Sequence, residues 1–306
     1  MISLLLLKEI ARLLVIMLMG WGLVKTKLLR SEDSRVLSVI LIYVTYPCVI
    51  INAFQMERGP DTLRMLALSL LSAVTLTTFS ILFGSAVGRA LRLDRVETTS
   101  VAYSNAGNLT IPLVSAVLGP QWVMFVSVYF MTQTLWQWTH GRILMSGEKK
   151  ISLRALVTNI NIIAIVVGVA LFFCGVRLPF LGETFSAVGA MVGPVAMLIA
   201  GMLLAEVTKA DLLRYRNLWK VTVLRLVVIP FLGVCLAKYS GAAALAPQGE
   251  TILLVSLLSA ITPSPNLTVQ FCQMFGGDAK YAGLINLVTM LLCIFTIPLL
   301  VAFYQM

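Results

Sequence analysis

The sequence predicts an all-α integral membrane protein of ten transmembrane helices, arranged as two inverted five-helix repeats. Three observations carry that prediction. Hydrophobic residues fill 59% of the 306 positions and charged residues only 12%, where soluble domains carry about 25% charged. The mean hydropathy is +0.96, so one soluble core could not hide the apolar surface. The apolar stretches also have the right length. A helix crossing about 30 Å of hydrocarbon needs about 20 apolar residues, and ten such stretches with short connections use up the chain.

In order, the spans read as 4–24, 36–55, 64–88, 98–118, 121–141, 155–174, 184–205, 218–237, 251–273 and 281–303. The opening MISLLLLKEIARLLVIMLMGWGLVK has no basic n-region and no small-residue cleavage site before its basic end, so it reads as a first span. Spans two and seven contain Pro47 and Pro194. Span four contains Gly107 and Pro112, and span nine contains Pro263 and Pro265. The longest interruptions, near 142–154 and 206–217, are basic and too short for a domain.

Charge sets the orientation. The odd-numbered connections hold Lys25, Lys27, Arg30, Arg35, Arg89, Arg92, Arg95, Arg142, Lys149, Lys150, Arg154, Lys209, Arg214, Arg216, Lys220 and Lys280. The even-numbered ones hold only Arg58, Arg64, Arg177 and Lys238. Basic residues favour the cytoplasmic side, which places both termini outside in a multi-pass protein of the cell (plasma) membrane. The same bias accounts for the net charge of +10 without nucleic acid, which is not expected as a partner. The five cysteines are scattered through apolar runs with no metal-ligand spacing.

The repeat reads as residues 1–145 followed by 146–306. Asn108-Leu109-Thr110-Ile111 in span four echoes Asn266-Leu267-Thr268-Val269 in span nine. These two spans concentrate Gly, Pro and Asn at their centres. An odd number of spans per repeat turns the second copy upside down, and paired broken helices in inverted repeats point to a carrier's binding site. Proline removes a backbone donor and crowds the preceding turn. Freed backbone groups are tolerated at membrane depth only against protein or a wet cavity. Broken spans crossing there would aim half-helix N-termini, partly positive, at the centre, which suits an anion.

The segment SNAGNLTIPLVSAVLG resembles the fourth-span signature of the auxin efflux carrier family, whose bacterial members include malonate-transporter-like permeases. YVTYPCVIINAF in span two, GPVAMLIAGMLLAE in span seven, RLVVIPFLG in span eight and LLSAITPSPNLTVQF in span nine are also similar, in order and over essentially the whole chain. The resemblance implies a fold like that of bile-acid symporters and sodium/proton antiporters, with spans four and nine crossing. It implies a scaffold of spans one, two, six and seven, a mobile unit of spans three to five and eight to ten, and a homodimer formed through the scaffold. Two departures stand out. Span three lacks the acid of plant auxin carriers, and Pro263-Ser264-Pro265 has two prolines where many relatives have one.

The site candidates are neutral. All 13 carboxylates lie in connections or near span ends, so no midplane acid is available to carry a proton. Ser104, Asn105, Asn108 and Thr110 are expected to face Thr262, Ser264, Asn266, Thr268 and Gln270. Amides and hydroxyls donate as well as accept, so Asn105, Asn108, Thr110, Ser264, Asn266 and Thr268 are the candidate ligand contacts. Asn108 and Asn266 lead, with Gly107, Pro112, Pro263 and Pro265 breaking the helices. Gln133, with Gln137 one turn on, either lines the cavity or bonds neighbouring helices. Asn52 either faces the mobile unit or packs. Asn286 and Thr289 read as packing residues. Arg225 reads as snorkelling to the cytoplasm rather than balancing a bound anion. Lys8, Glu9 and Arg12 read as interfacial, and His140 as part of an interface belt with Trp136 and Trp138.

No zinc spacing, phosphate loop, dinucleotide fingerprint or nucleophile elbow occurs. Neither an enzyme, a metal nor a cofactor is expected. The sequence therefore reads as a secondary transporter or facilitator for small organic anions, mono- or dicarboxylates and auxin-like acids, working by elevator-type alternating access. The alternative is a membrane sensor that traps a ligand on the same fold without turnover. Topology is directly testable. A single cysteine at Lys209 in a cysteine-free background is expected to react with an impermeant thiol reagent only after permeabilisation, and labelling of intact cells would overturn the orientation.

Overall fold

The computed structural model describes residues 2–55, 59–147, 154 and 157–306. Arg58, Lys149 and Lys150 of the charge count and Glu57 and Glu148 of the acid inventory lie outside the described residues, as do parts of the connection before the sixth span. Among the described residues the secondary structure is helical, with no strand.

Helices lie over each predicted apolar stretch. They are α1 (Ile2–Lys25), α2 (Ser31–Ala53), α3 (Thr62–Ala90), α4a (Arg95–Ala102) and α4b (106–117), α5 (123–146), α6 (Ile160–Cys174), α7 (Pro179–Leu204), α8 (Leu218–Tyr239), α9a (Gly249–Ala260) and α9b (Asn266–Phe275), and α10 (Ala279–Gln305). Five of them, α2, α3, α7, α8 and α10, are by length and composition able to cross a membrane in one run. The outer surface is apolar: Phe180, Leu82, Phe295 and Leu299 are all exposed. Water would penalise such a surface, whereas lipid tails solvate it.

The prolines explain the local geometry. Pro47, Pro112 and Pro230 each follow a single wide π turn, Leu41–Thr45, Ala106–Thr110 and Leu224–Val228. A proline ring crowds the carbonyl four residues back and offers that carbonyl no N–H. Widening the turn relieves the clash and keeps the helix continuous. Pro194 acts differently: α7 turns at Ala190 and Met191, just before it. The unwound stretch of the fourth span is Tyr103–Asn105. That corrects the expectation that Gly107 and Pro112 break it. Both lie in α4b, beyond the break, because the π turn accommodates Pro112. In the ninth span the unwound residues do include Pro263 and Pro265.

Side-chain hydrogen bonds and close backbone contacts fall into two groups of helices, which also pack on each other, α1 along α10 above all, in one apolar core. In the first, α1 buries Leu6, Ile10, Leu13, Met17 and Gly20 at helical spacing and runs against α7 almost backbone to backbone. A β-carbon on Gly20 would collide with the Leu198 carbonyl, and one on Gly201 with the Met17 carbonyl, the small-residue packing used where lipid gives helices no hydrophobic drive to associate. Ser31 bonds Glu206, joining the start of α2 to the residues just after α7, and Gly168 of α6 receives the ring of Phe54, the residue after α2. In the second group, Ser72 of α3 meets Ser256 of α9a at 2.7 Å, and Lys238 of α8 donates to the Phe303 carbonyl of α10 at 2.8 Å. Glu97 of α4a accepts from Tyr281 of α10 at 2.9 Å and from Asn217 at 3.2 Å. At the same end, Lys280 lies 2.6 Å from Asp211 and holds its carboxyl down at about 2.

Candidate functional site

The two broken spans meet at their breaks. The Asn105 amide of the fourth span donates to the Pro263 carbonyl of the ninth at 2.9 Å. Four half-helix ends converge there: the C-termini of α4a and α9a, and the N-termini of α4b and α9b.

The C-termini share one cation. Arg225, in the π turn of α8, is fully buried. Its Nε donates to the Thr262 carbonyl at 3.0 Å, its Nη1 to the Val101 carbonyl at 3.3 Å, and its Nη2 to the carbonyls of Thr262, at 2.8 Å, and Ala260. Helix C-termini are partly negative, so the guanidinium sits where two such ends meet. This corrects the snorkelling expectation. A side chain with four hydrogen bonds to three carbonyls at depth has no reason to reach for the cytoplasm. Insertion scales put an arginine at mid-membrane at about 2.5–3.5 kcal/mol, whereas each hydrogen bond made by a charged group contributes about 1.5–3 kcal/mol. The bonds outweigh the burial.

The unwound backbone is braced in the same way in both spans. Ser104 presents its N–H to Gln133 Oε1 at 3.3 Å and its carbonyl to Gln133 Nε2 at 2.7 Å, and its hydroxyl also donates to Gln133. In the ninth span the Ser264 N–H donates to Thr289 Oγ1 at 3.1 Å and its carbonyl accepts from Asn286. One side chain from α5 thus does for Ser104 what two from α10 do for Ser264. Gln133 is committed to this brace, and Asn286 and Thr289 do more than pack. The braces set Ser104 opposite Ser264, two residues out of step with the Asn-Leu-Thr echo. Asn108 is accordingly the third residue of α4b, while Asn266 is the first of α9b.

The N-termini have no such service. No side chain caps α4b or α9b. Around them Asn105 Nδ2 and the hydroxyls of Thr110, Ser264 and Thr268 are buried with no hydrogen-bond partner. Buried polar groups are ordinarily satisfied, and all four can donate. Asn266 is half-buried at the start of α9b. Asn108 is engaged through its carbonyl oxygen by the hydroxyl of Tyr46 from α2.

A cavity of about 520 Å³ leads toward this place. It opens between α1, α2 and α7 on one side and α4b and the start of α5 on the other. Asn52, Pro112, Ser115 and Gln121 line it, and Glu9 and Arg12, paired at 3.3 Å, also face it. Asn52 therefore faces the second group of helices across the cavity, and Glu9 and Arg12 belong to the cavity as well. Asn105, Asn108, Thr110, Ser264, Asn266, Thr268 and Gln133 lie outside its lining. Among the described residues no His, Cys, Asp and Glu cluster has the make-up of a metal site. His140 bonds the Tyr103 hydroxyl at 2.9 Å, which ties it to the break in the fourth span.

The model of a family described as membrane transport protein matches residues 5–152 and 149–301. The chain belongs to that family. It is the one the span motifs resemble, that of auxin efflux carriers and malonate-transporter-like permeases, so the protein is a membrane transporter. No curated protein matches it.

Sequence reasoning had no direct sign of Tyr46, whose hydroxyl reaches Asn108 from just beyond a π turn. Arg225 carried a signal, a lone cation inside an apolar span, which is functional by default. The braces make a prediction. Gln133→Ala and Asn286→Ala should each lower the detergent melting temperature, because an unpaired buried backbone group costs about 1–3 kcal/mol. Gln133→Ala combined with Asn286→Ala should be close to additive, since the two act on different breaks. Wild-type melting of either single variant would remove its brace.

Proposed function

We propose that this transporter moves small organic anions, mono- or dicarboxylates, by an elevator-type movement of one helix group past the other. The observation that carries this reading is the asymmetry at the crossing. Both half-helix C-termini are neutralised by Arg225, while both N-termini are uncapped and surrounded by buried donors without partners. What is left is an excess of positive potential and hydrogen-bond donors, which a carboxylate satisfies. The ten spans form two inverted repeats, 1–145 and 146–306. α1, α2, α6 and α7 are the scaffold and the site of homodimer contact, and α3–α5 with α8–α10 are the moving unit. With both termini outside, the cavity is the outward-facing entrance.

Arg225 also bears on coupling. In carriers with broken helices, unwound carbonyls and half-helix C-termini hold the coupling Na⁺ or proton. Here Arg225 occupies those carbonyls, and among the described residues no carboxylate bonds them or Arg225. Flux therefore follows the anion's own gradient and the membrane potential.

Radiolabelled uptake into proteoliposomes, across a panel of mono- and dicarboxylates and auxin-like acids, tests this. Uptake of at least one acid is expected, unchanged when Na⁺ is replaced or the pH gradient collapsed. Asn108→Ala and Asn266→Ala should each weaken its affinity about tenfold or more, and Asn→Asp should weaken it further through like-charge repulsion. Binding without flux would favour the sensor reading. Unchanged affinity with lowered melting temperature would leave the asparagines a purely structural role.

A further inference from the structure

Between the described residues, one hydrogen bond joins the two helix groups, which otherwise meet through apolar packing. The remaining side-chain bonds between described residues fall within one group or the other: between the ends of α2 and α7 in the first, and α3, α4, α5, α8, α9 and α10 among themselves in the second. The exception is Tyr46 of α2, whose hydroxyl donates to Asn108 Oδ1 of α4b.

The surroundings hold Tyr46 in that role. Its ring is buried and stacks on Phe130 of α5, with centroids 5.6 Å apart. It follows the π turn Leu41–Thr45 and precedes Pro47. Opposite its hydroxyl stands Gly107, where a β-carbon would come within 2.7 Å of that oxygen. Any larger residue at 107 would push the hydroxyl off Asn108. The cavity ends just short of the pair. Its deepest residue on α2 is Val49, three positions beyond Tyr46, and on α4b they are Ile111 and Pro112, three and four beyond Asn108. The bond lies one helical turn deeper on both helices, beneath the cavity.

We propose that Tyr46 is a positioning residue that holds the empty carrier in place. The inference rests on the elevator reading above. With no anion at the crossing, the hydroxyl fixes Asn108 with its oxygen toward the scaffold and restrains the moving unit. An anion seated between the two half-helix N-termini offers Asn108 a charged acceptor for its NH₂, a stronger partner than a neutral one. The amide turns inward, its oxygen leaves Tyr46, and the loaded unit is free to move. The empty unit moves slowly because it must break this bond without compensation. The protein therefore favours exchange of one anion for another over net movement.

Proteoliposomes loaded with a labelled acid from the panel above, malonate first, provide the test. Wild-type efflux into acid-free buffer should be slow, and unlabelled acid outside should accelerate it. Tyr46→Phe keeps the ring on Phe130 and removes only the hydroxyl. It should raise net efflux about fivefold to tenfold, the worth of one buried hydrogen bond, while leaving exchange near the wild-type rate. Tyr43→Phe, on the exposed face of the same helix, should leave the ratio of exchange to net efflux unchanged. An equal fall in both fluxes of Tyr46→Phe would make Tyr46 a mere brace, and an unchanged ratio would likewise overturn the restraint while leaving transport standing. A wild-type protein that moves none of the acids would count against the transport reading itself, and against the restraint with it.

Discussion

The structure turns on one cation serving two broken helices. Two interrupted spans at membrane depth expose carbonyls that neither lipid nor a continued helix can satisfy. Placed end to end, the C-termini of α4a and α9a also repel as like partial charges. Arg225 answers both problems with one planar group, whose fork of donors reaches Val101, Ala260 and Thr262 together. A lysine offers a single point charge on a flexible stem and could not span three residues on two chain segments with the same fixed geometry. The arginine is borrowed from a third helix, α8, so the break in the fourth span depends on the packing of the eighth.

That dependence shapes what the crossing can do. The negative ends are bonded to Arg225, while the N-termini after Asn105 and Pro265 have no side-chain cap. The orphaned donors of Asn105, Thr110, Ser264 and Thr268 lie around those N-termini. The braces from Gln133, Asn286 and Thr289 satisfy the unwound backbone of Ser104 and Ser264. The two braces are alike in function and different in residues. In both, the single requirement met is that each freed N–H and carbonyl find a partner.

Much of this was legible in the sequence, and the exceptions have physical reasons. Apolar length located the long apolar helical stretches, because bilayer thickness leaves little choice of length, but not the short helix Lys209–Arg214 in a connection. Clustered Gly, Pro and Asn located the broken spans, though not the residue at which α4a stops. Pro112 was taken for the break, whereas a π turn absorbs it and the chain unwinds at Tyr103–Asn105. A widened turn adds one residue and rotates everything beyond it, and no hydrophobic period records that. Tyr46 likewise lies just beyond such a turn. Arg225 was visible as a charge in an apolar run. Snorkelling and internal capping cannot be told apart until the carbonyls around the charge are placed. Gln133 stood between two roles for a similar reason: an amide at helical spacing suits a cavity or a neighbour's backbone equally well.

The central claim is that the Arg225 guanidinium holds the two breaks together. The most direct test is detergent melting of Arg225→Met and Arg225→Lys beside the wild type. Methionine keeps much of the side chain's length and apolar stem but leaves the three carbonyls without a donor, at about 1–3 kcal/mol for each unsatisfied buried acceptor and so of the order of 3–5 kcal/mol in all. At about 2–4 °C per kcal/mol, the account predicts a fall of roughly 10 °C for Arg225→Met and a smaller one for Arg225→Lys. An Arg225→Met protein that melts with the wild type would contradict it.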